Sequence, residues 1–356
     1  MNSNNKNLIV AFIDRVAPKN RLQIDVIHHL GYCAMFFSNQ YIKHAETYFS
    51  KNDIYEQLLP SFFLRLKQVF TLFKKHASNI HHAEIYPGGR YSFIYLILAK
   101  FFKISVICVE RGDLLYYKKG GYDFFTRFSM WVCYRFSTIV WYREPYMKPI
   151  LDTIGVKKSL FIHNAVAEID NQSIKKFQEK DIHFLWLNRL IPERESGWFI
   201  DILNKSIFNE TNNILAGLLN NTLYSKDQEY VIKNAPTNLQ LLYFVDNPSF
   251  LFNRAKFFVL PAKIVFANNS LLEAMSFGVV PIITKGSGYE LIVEEGVNGI
   301  IANNNRESFE YAMKRAMEMK CEEYEQMSFA ATMFIKENFS TKKYLNDLNN
   351  LYNQIK

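Results

Sequence analysis

Apolar and polar residues fall into two rhythms along this chain. Short apolar runs of strand character are separated by stretches in which apolar residues recur every three or four positions. In the first half the runs are Leu8–Ile13, Cys33–Phe37, Ala83–Tyr86, Ser105–Val109 and Thr138–Trp141. Helical spacing fills Arg21–Leu30, Gln57–Lys75, Ser92–Phe102 and Phe124–Arg135. The second half starts the pattern again. Strands are predicted at His183–Leu187, Asn213–Leu218, Leu239–Phe244, Lys256–Leu260, Val279–Ile283 and Gly299–Ile301, with helices that include Pro248–Arg254 and Ser270–Phe277. Strands alternating with helices mark α/β domains with parallel sheets. Most intervals supply the dozen or more residues that a parallel crossover needs. From Arg306 onward the pattern is helical. The last helix, Lys342–Gln354, puts Tyr344, Leu345, Leu348, Leu351 and Tyr352 on one face that must pack on something.

The polar stretch His163–Lys180 separates the halves, and 356 residues suit two domains. A division into residues 1–165 and 166–339 is expected. Hydrophobic residues make up 49% of the chain, enough for two real cores. No apolar stretch reaches membrane-spanning length: Lys100 and Lys103 interrupt the nearest candidate, Tyr91–Val109. Leu8–Ile13 is too short for a leader and reads as a strand. Cys33, Cys108, Cys133 and Cys321 are scattered without CxxC pairs, which fits reduced thiols in a cytoplasmic protein.

The net charge of +8 is unevenly placed. Residues 1–175 hold 23 Lys/Arg against 13 Asp/Glu; residues 176–356 hold 19 against 21. The basic excess of the first half points to an anionic partner there: nucleic acid, anionic lipid or a phosphorylated acceptor. No nucleic-acid recognition motif occurs, so that partner is not expected. Within Ser61–His76, the residues Phe62, Phe63, Leu66, Val69, Phe70 and Phe73 share a helical face flanked by Arg65, Lys67, Lys74 and Lys75. That fits a helix lying on the inner face of an anionic membrane, or equally a core-facing helix with a basic edge. Tyr116–Tyr117–Lys118–Lys119 is a second basic, aromatic patch.

The segment Lys256–Ile301 carries the chemistry. A strand ends at Pro261, a loop follows, and a helix begins near Ser270 with Asn269 or Ser270 as N-cap. Gly278 ends that helix. After the next strand, a loop with Gly286 and Gly288 leads into a further short helix. Two helix N-termini thus follow the carboxyl ends of strands, each with unpaired N–H groups and a positive dipole end suited to phosphate. Glu273, one turn inside the first helix, could accept hydrogen bonds from ribose hydroxyls. It could also simply be an acidic residue favoured by the macrodipole.

Leu271–Ile283 (LLEAMSFGVVPII) resembles the family 4 class of nucleotide-sugar glycosyltransferases, retaining enzymes of the GT-B fold. Ala255–Pro261 looks like the strand before that motif, and Gly288–Gly299 like the segment after it, with Glu290 capping a helix. Leu187–Gly197 (LNRLIPERESG) is similar to the family's Gly–Arg–Leu–x–x–x–Lys–Gly loop, and Asn164–Ala165–Val166 to its hinge. The resemblance implies two Rossmann-like domains, with the last helix, at 340–356, returning to the N-terminal one. It implies that Arg189 and Arg194 hold the diphosphate, that Asn268, Asn269, Ser270 and Leu271 line the phosphate end, that Glu273 holds the ribose, and that Val245 meets the base through its backbone. The expected donor is a nucleotide diphosphate sugar, a UDP-sugar by preference, with no other cofactor. The family pattern places a Glu on the donor sugar eight positions before Glu273; here that residue is Val265, followed by Phe266 in place of Gly.

Resemblance fades in the first half. Gly88–Gly89 offers a close backbone approach to a ligand or an ordinary helix-entry turn. Glu110 and Asp113 follow the strand Ser105–Val109 and are the candidate acceptor-orienting or charge-stabilising groups. No Asp–x–Asp triplet and no His/Cys ligand spacing occurs, so no metal is expected. The reading is a metal-independent retaining transferase acting on a glycan or lipid-linked acceptor in surface polysaccharide or glycoconjugate synthesis. Two rivals are a non-hydrolysing sugar-nucleotide epimerase, which would turn over without an acceptor, and a catalytically silent GT-B partner subunit.

Overall fold

In the computed structural model the described residues are 7–16, 20–111, 114–167, 169, 173–219, 226–266 and 268–355. The chain divides into two compact units, Met1–His163 with Tyr344–Lys356, and Asn164–Lys343.

Unit 1 contains the strands β1 (Leu8–Arg15), β2 (Cys33–Gln40), β3 (Ile54–Gln57), β4 (Ile80–Ile85), β5 (Val106–Glu110), β6 (Ile139–Tyr142) and β7 (Ser159–Phe161). Its helices are α1 (Arg21–His29), α2 (Phe62–His76), α3 (Ser92–Phe101), α4 (Leu114–Lys118), α5 (Phe124–Phe136) and α6 (Met147–Ile154). Unit 2 contains β8 (Ile182–Leu187), β9 (Asn213–Leu218), β10 (Leu239–Tyr243), β11 (Ala255–Leu260), β12 (Val280–Thr284) and β13 (Ile300–Ala302). Its helices are α7 (Ser196–Leu203), α8 (Lys226–Asn234), α9 (Ser249–Phe252), α10 (Asn269–Ser276), α11 (Arg306–Met317) and α12 (Cys321–Asn338). The last helix, α13 (Thr341–Asn353), begins in unit 2 and ends in unit 1.

Each unit is built on one wholly parallel sheet. The order is β3-β2-β1-β4-β5-β6-β7 in unit 1 and β10-β9-β8-β11-β12-β13 in unit 2. The central strands are buried at every residue, as in β5, β6 and β12, because helices cover the sheet faces. Strand order reverses between β1 and β4, and again between β8 and β11. Ligands of open α/β sheets bind at the carboxyl ends of strands at such a switch point.

One feature departs from the sequence reading, and two alternatives it left open are decided. Ile54–Gln57 is an edge strand, and the helix predicted from Gln57 starts only at Phe62. Pro60 lacks the N–H a helix interior needs, and Ser61 caps the helix by accepting from the Leu64 N–H at 3.3 Å. The α2 face proposed for lipid is largely core: Val69 and Phe73 are fully buried, and Phe62 and Leu66 pack against the same cluster. Arg65 is buried too, donating to the Leu59 carbonyl at 2.8 Å and the Tyr95 hydroxyl at 3.2 Å. Gly88–Gly89 is a helix-entry turn in which Ser129 Oγ donates to the Gly89 carbonyl at 3.0 Å.

The last helix is docked by chemistry the sequence reading missed. Glu84, fully buried on β4, accepts from Tyr352 of α13 at 3.0 Å and from Gln23 of α1 at 2.6 Å. The Tyr86 hydroxyl donates to Gln23 Oε1 at 2.8 Å, and Arg111 donates to Tyr86 at 3.0 Å and to Gln23. A lone Glu inside the apolar run of β4 was the available signal, since a carboxylate is buried only with partners.

Candidate functional site

In unit 2 the switch point lies between β8 and β11. The loop after β8 carries Asn188, Arg189 and Arg194; the loop after β11 leads into α10 with Asn268–Glu273. The two loops are tied together. Asn268 Nδ2 donates to Asn188 Oδ1 at 2.9 Å, the Lys263 N–H donates to the Glu193 carbonyl at 3.0 Å, and Lys263 Nζ pairs with Glu195 at 3.1 Å. A close approach of β9 completes the floor: a Cβ on Gly217, whose φ is +132°, would lie 2.0 Å from the Asn188 carbonyl oxygen. Only glycine fits there.

The start of α10 differs from expectation by one residue. Asn268 is the N-cap, and its Oδ1 accepts the Leu271 N–H at 3.0 Å. The Leu271 N–H is therefore spent on the cap, and its side chain is in the core. The N–H groups of Asn269 and Ser270 belong to the first turn, which has no intrahelical acceptors. Both residues are half-buried, and Asn269 Oδ1 accepts from Asn164 Nδ2 at 2.7 Å. That bond brings the predicted hinge residue Asn164 onto the mouth of α10.

Glu273 sits one turn further along, half-buried. Burial pushes its carboxyl up to about 7, because the ionised form loses hydration. Arg194 is half-buried in the turn Pro192–Arg194 before α7, and Arg189 is exposed. The structure thus gathers Arg189, Arg194 and Asn268 to Glu273 on neighbouring loops. Val245 stands apart: it is half-buried in the loop after β10, at the sheet edge two strands from β8. Sequence reasoning missed Asn188, whose Nδ2 is a buried donor without a protein partner. Its amide faces the same loops and is available to a bound acceptor atom.

The loop Pro261–Phe266 is laced to the loop after β12. Ser287 donates to the Lys263 carbonyl at 2.8 Å and accepts from the N–H groups of Val265 and Phe266 at 3.1 and 3.2 Å. A Cβ on Gly286 would lie 2.2 Å from the Ala262 carbonyl, and one on Gly288 would lie 2.5 Å from Phe266 Cβ. These two glycines let the loops touch. Val265 is fully buried and Phe266 nearly so, which puts apolar side chains where the resemblance expects a sugar-binding Glu and a Gly. Gly288, not Glu290, is the N-cap of the short turn Tyr289–Leu291; Glu290 is exposed.

The first-half candidates fare differently. Glu110 is fully buried at the end of β5. Its carboxylate accepts from the Leu114 N–H at 3.2 Å and from the Tyr134 hydroxyl, so both oxygens hold α4 and α5 in place. That sets Glu110 against its reading as an acceptor-orienting or charge-stabilising group: the burial that makes β5 a central strand extends to its last residue. Asp113 lies outside the described residues. At the same sheet end, the Arg111 guanidinium stacks 4.5 Å over Tyr86 and that of Arg143 lies 5.2 Å over Trp141. Burial, with Arg111 nearby, lowers Arg143 to about 10. Among the described residues, no group of three or more His, Cys, Asp or Glu could hold a metal ion. Likewise among the described residues, no helix is long and apolar enough to cross a membrane.

Residues 168–333, which carry this site, match the family described as Glycosyl transferases group 1. An uncharacterized glycosyltransferase of Methanocaldococcus jannaschii is 28% identical over 164 residues, 45% of this chain and 44% of the relative. The chain thus spans less than half the length of that curated relative. Among solved structures, a glycosyltransferase from Rickettsia africae superposes with a TM-score of 0.77 at 13% identity, covering 99% of both chains. Anabaena HepE in complex with UDP superposes with a TM-score of 0.77 at 13% identity, covering 97% of this chain and 99% of that one. The chain therefore has the two-Rossmann GT-B fold, and its residues 168–333 are similar to the group 1 glycosyltransferase family.

Proposed function

We propose that the chain transfers a sugar from a nucleotide diphosphate sugar, a UDP-sugar, to a glycan or lipid-linked acceptor, as a metal-independent retaining enzyme of surface polysaccharide or glycoconjugate synthesis. The observation that carries this reading is the switch point of unit 2, where one pair of tied loops presents two guanidinium groups, the open start of α10 and a half-buried carboxyl. The UDP held by the Anabaena neighbour supports the choice of base.

In this scheme Arg189 and Arg194 take the diphosphate together with the N–H groups of Asn269 and Ser270. Arg194 stands where the family has Lys, and its planar fork suits bidentate oxygens. Glu273 accepts the ribose hydroxyls, and Val245 meets the base through its backbone. The donor's C1–O bond to phosphate breaks and the acceptor oxygen bonds to C1 on the same face. A leaving phosphate oxygen takes the acceptor's proton, and the two cations stabilise the charge that develops there. With Val265 buried, polar contact to the donor sugar falls to backbone groups of its loop and to the amides of Asn188 and Asn269. Donor preference therefore rests on those groups.

A thermal-shift screen of nucleoside diphosphates and their sugars tests the reading. A specific ligand raises the melting temperature by mass action, and UDP or a UDP-sugar is expected to give the largest rise. If no nucleoside diphosphate or sugar derivative moves the wild-type protein, the donor site is wrongly assigned.

A further inference from the structure

Large apolar side chains crowd one exposed face of unit 1. On α2, Phe63 is 78% exposed and Phe70 also faces out. On α3, Ile97 and Phe101 do so, Phe101 at 70%. On α5, Phe124 is 76% exposed, with Phe125, Phe128, Trp131 and Phe136 beside it. These are one surface, because α3 packs between the other two helices. Phe70 lies 6.5 Å from Phe101, Phe93 lies 6.3 Å from Phe128, and Trp131 lies 5.7 Å from Phe136. Of the helical face read from the sequence as a lipid contact, Phe63 and Phe70 belong to this surface and the rest is core or packs on it, so the surface is spread over three helices.

Its charge is mostly positive, with Asp123, the N-cap of α5, paired with Arg90 at 3.3 Å. The sequences of α2, α3 and α5 contain no Asp or Glu. Lys67, Lys74, Lys75, Lys100 and Arg127 are all exposed on them, and Lys100 reaches over the Phe136 ring at 5.9 Å. Beside α5 lies a groove of about 410 Å³, floored by Trp131, Ile150 and Ile154 and edged by Lys118 and Arg127. Apolar floor and cationic rim match an acyl chain with an anionic headgroup. Protein interfaces, by contrast, are depleted in Lys, whereas Phe, Trp and Lys together characterise surfaces that lie in the lipid interface.

We propose that the α2–α3–α5 face docks unit 1 on an anionic phospholipid bilayer, with the groove beside α5 receiving a lipid headgroup. The rings enter the headgroup region, and the lysines draw in anionic lipid within a Debye length. The surface belongs to unit 1 alone and does not depend on the donor site assigned to unit 2, so either can fail without the other.

Vesicle flotation of the full chain tests it, with phosphatidylcholine alone or mixed with phosphatidylglycerol. Binding is expected on the mixed vesicles and to weaken in high salt. Replacing Lys74 and Lys100 with Glu is expected to lower partitioning by about fivefold or more per site. Phe124→Ser with Phe128→Ser is expected to lower it by about tenfold or more. Phe329→Ser, on an exposed ring of unit 2, is expected to change nothing. A second readout needs no disruptive variant: brominated lipid is expected to quench part of the tryptophan emission, and Trp131→Phe to remove that part. The proposal is overturned by absence of binding to the mixed vesicles, or by unquenched Trp131. It is equally overturned by face variants that bind as wild type, or by light scattering that shows this face pairing two copies of the chain while vesicles stay unbound.

Discussion

The two sheets share the order of their first six strands and the place of the switch point, yet their carboxyl ends are finished differently. In unit 1 the two carboxylates there are spent on neighbouring helices, although Arg111 Nε and Nη1 keep no hydrogen-bond partner among the described residues. Glu84 is held by Gln23 and Tyr352, Gln23 by Tyr86 and Arg111, and Glu110 by Tyr134 and the Leu114 N–H. In unit 2 the groups at the equivalent place are left partly open. Glu273 is half-buried with its carboxyl lifted to about 7, and Asn188 Nδ2 has no protein partner. The first arrangement fixes helices; the second has interaction capacity for a ligand. A common topology places polar groups at one sheet end, but only their satisfaction decides whether that end is a brace or a site.

The comparison can be broken most sharply at its two glutamates. Glu84→Ala strips partners from Gln23 and Tyr352 in a buried setting, and a loss of about 3–5 kcal/mol is expected, read by urea denaturation. Glu273→Ala is expected not to lower the urea midpoint and to abolish the nucleotide-dependent thermal shift. If Glu84→Ala proves as mild as Glu273→Ala, the brace is misread. Next in size is Arg189→Ala, which is expected to weaken nucleoside diphosphate binding about tenfold to a hundredfold by calorimetry, as the loss of a charged hydrogen bond worth about 1.5–3 kcal/mol implies. A melting temperature equal to wild type without ligand would separate this from unfolding.

The pH dependence sharpens the same contrast. In the folded protein Glu273 titrates at about 7 against an ordinary 4.5. Between those values the folded state keeps a proton that the unfolded state has released, so this group lowers stability as pH rises through the window. Glu273→Gln is expected to flatten that slope and to melt a few degrees above wild type at pH 8, within roughly 3 kcal/mol. In the proposed site ribose hydroxyls would donate to the carboxylate, so nucleotide affinity is expected to rise with pH up to about 7 and then level off. An affinity flat from pH 5 to pH 8 would remove Glu273 from the site. The smallest effect belongs to the cap: Asn268→Ala is expected to cost about 1 kcal/mol, seen as a modest drop in melting temperature.

Much of unit 2 was legible before any coordinates. Strand runs such as Asn213–Leu218 carry a local signal, since a strand buried on both faces is mostly apolar. The motif around Glu273 was legible because a helix start at a strand's end has its own short vocabulary of caps and small residues. The cap itself was misplaced, from Asn268 to Asn269 or Ser270, because three polar residues in a row all suit the position. Unit 1 was harder. The α2 stripe could be apolar toward the core or toward lipid with the same spacing, and only the packing of Val69 and Phe73 decided between them. Glu110 has the look of a site residue in the sequence, whereas the positions of Tyr134 and Leu114 make it a brace.

By itself the sequence determined the two α/β units, the strand–loop–helix segment that carries the candidate donor site, and the uneven charge. These depend on residue type and local spacing, and both are written along the chain. Only the tertiary structure decided which polar groups are satisfied, which glycines are pressed against a neighbouring loop, and which aromatic rings face outward. Those properties depend on residues distant in sequence, such as Glu84 with Tyr352 and Phe70 with Phe101, meeting across packed elements.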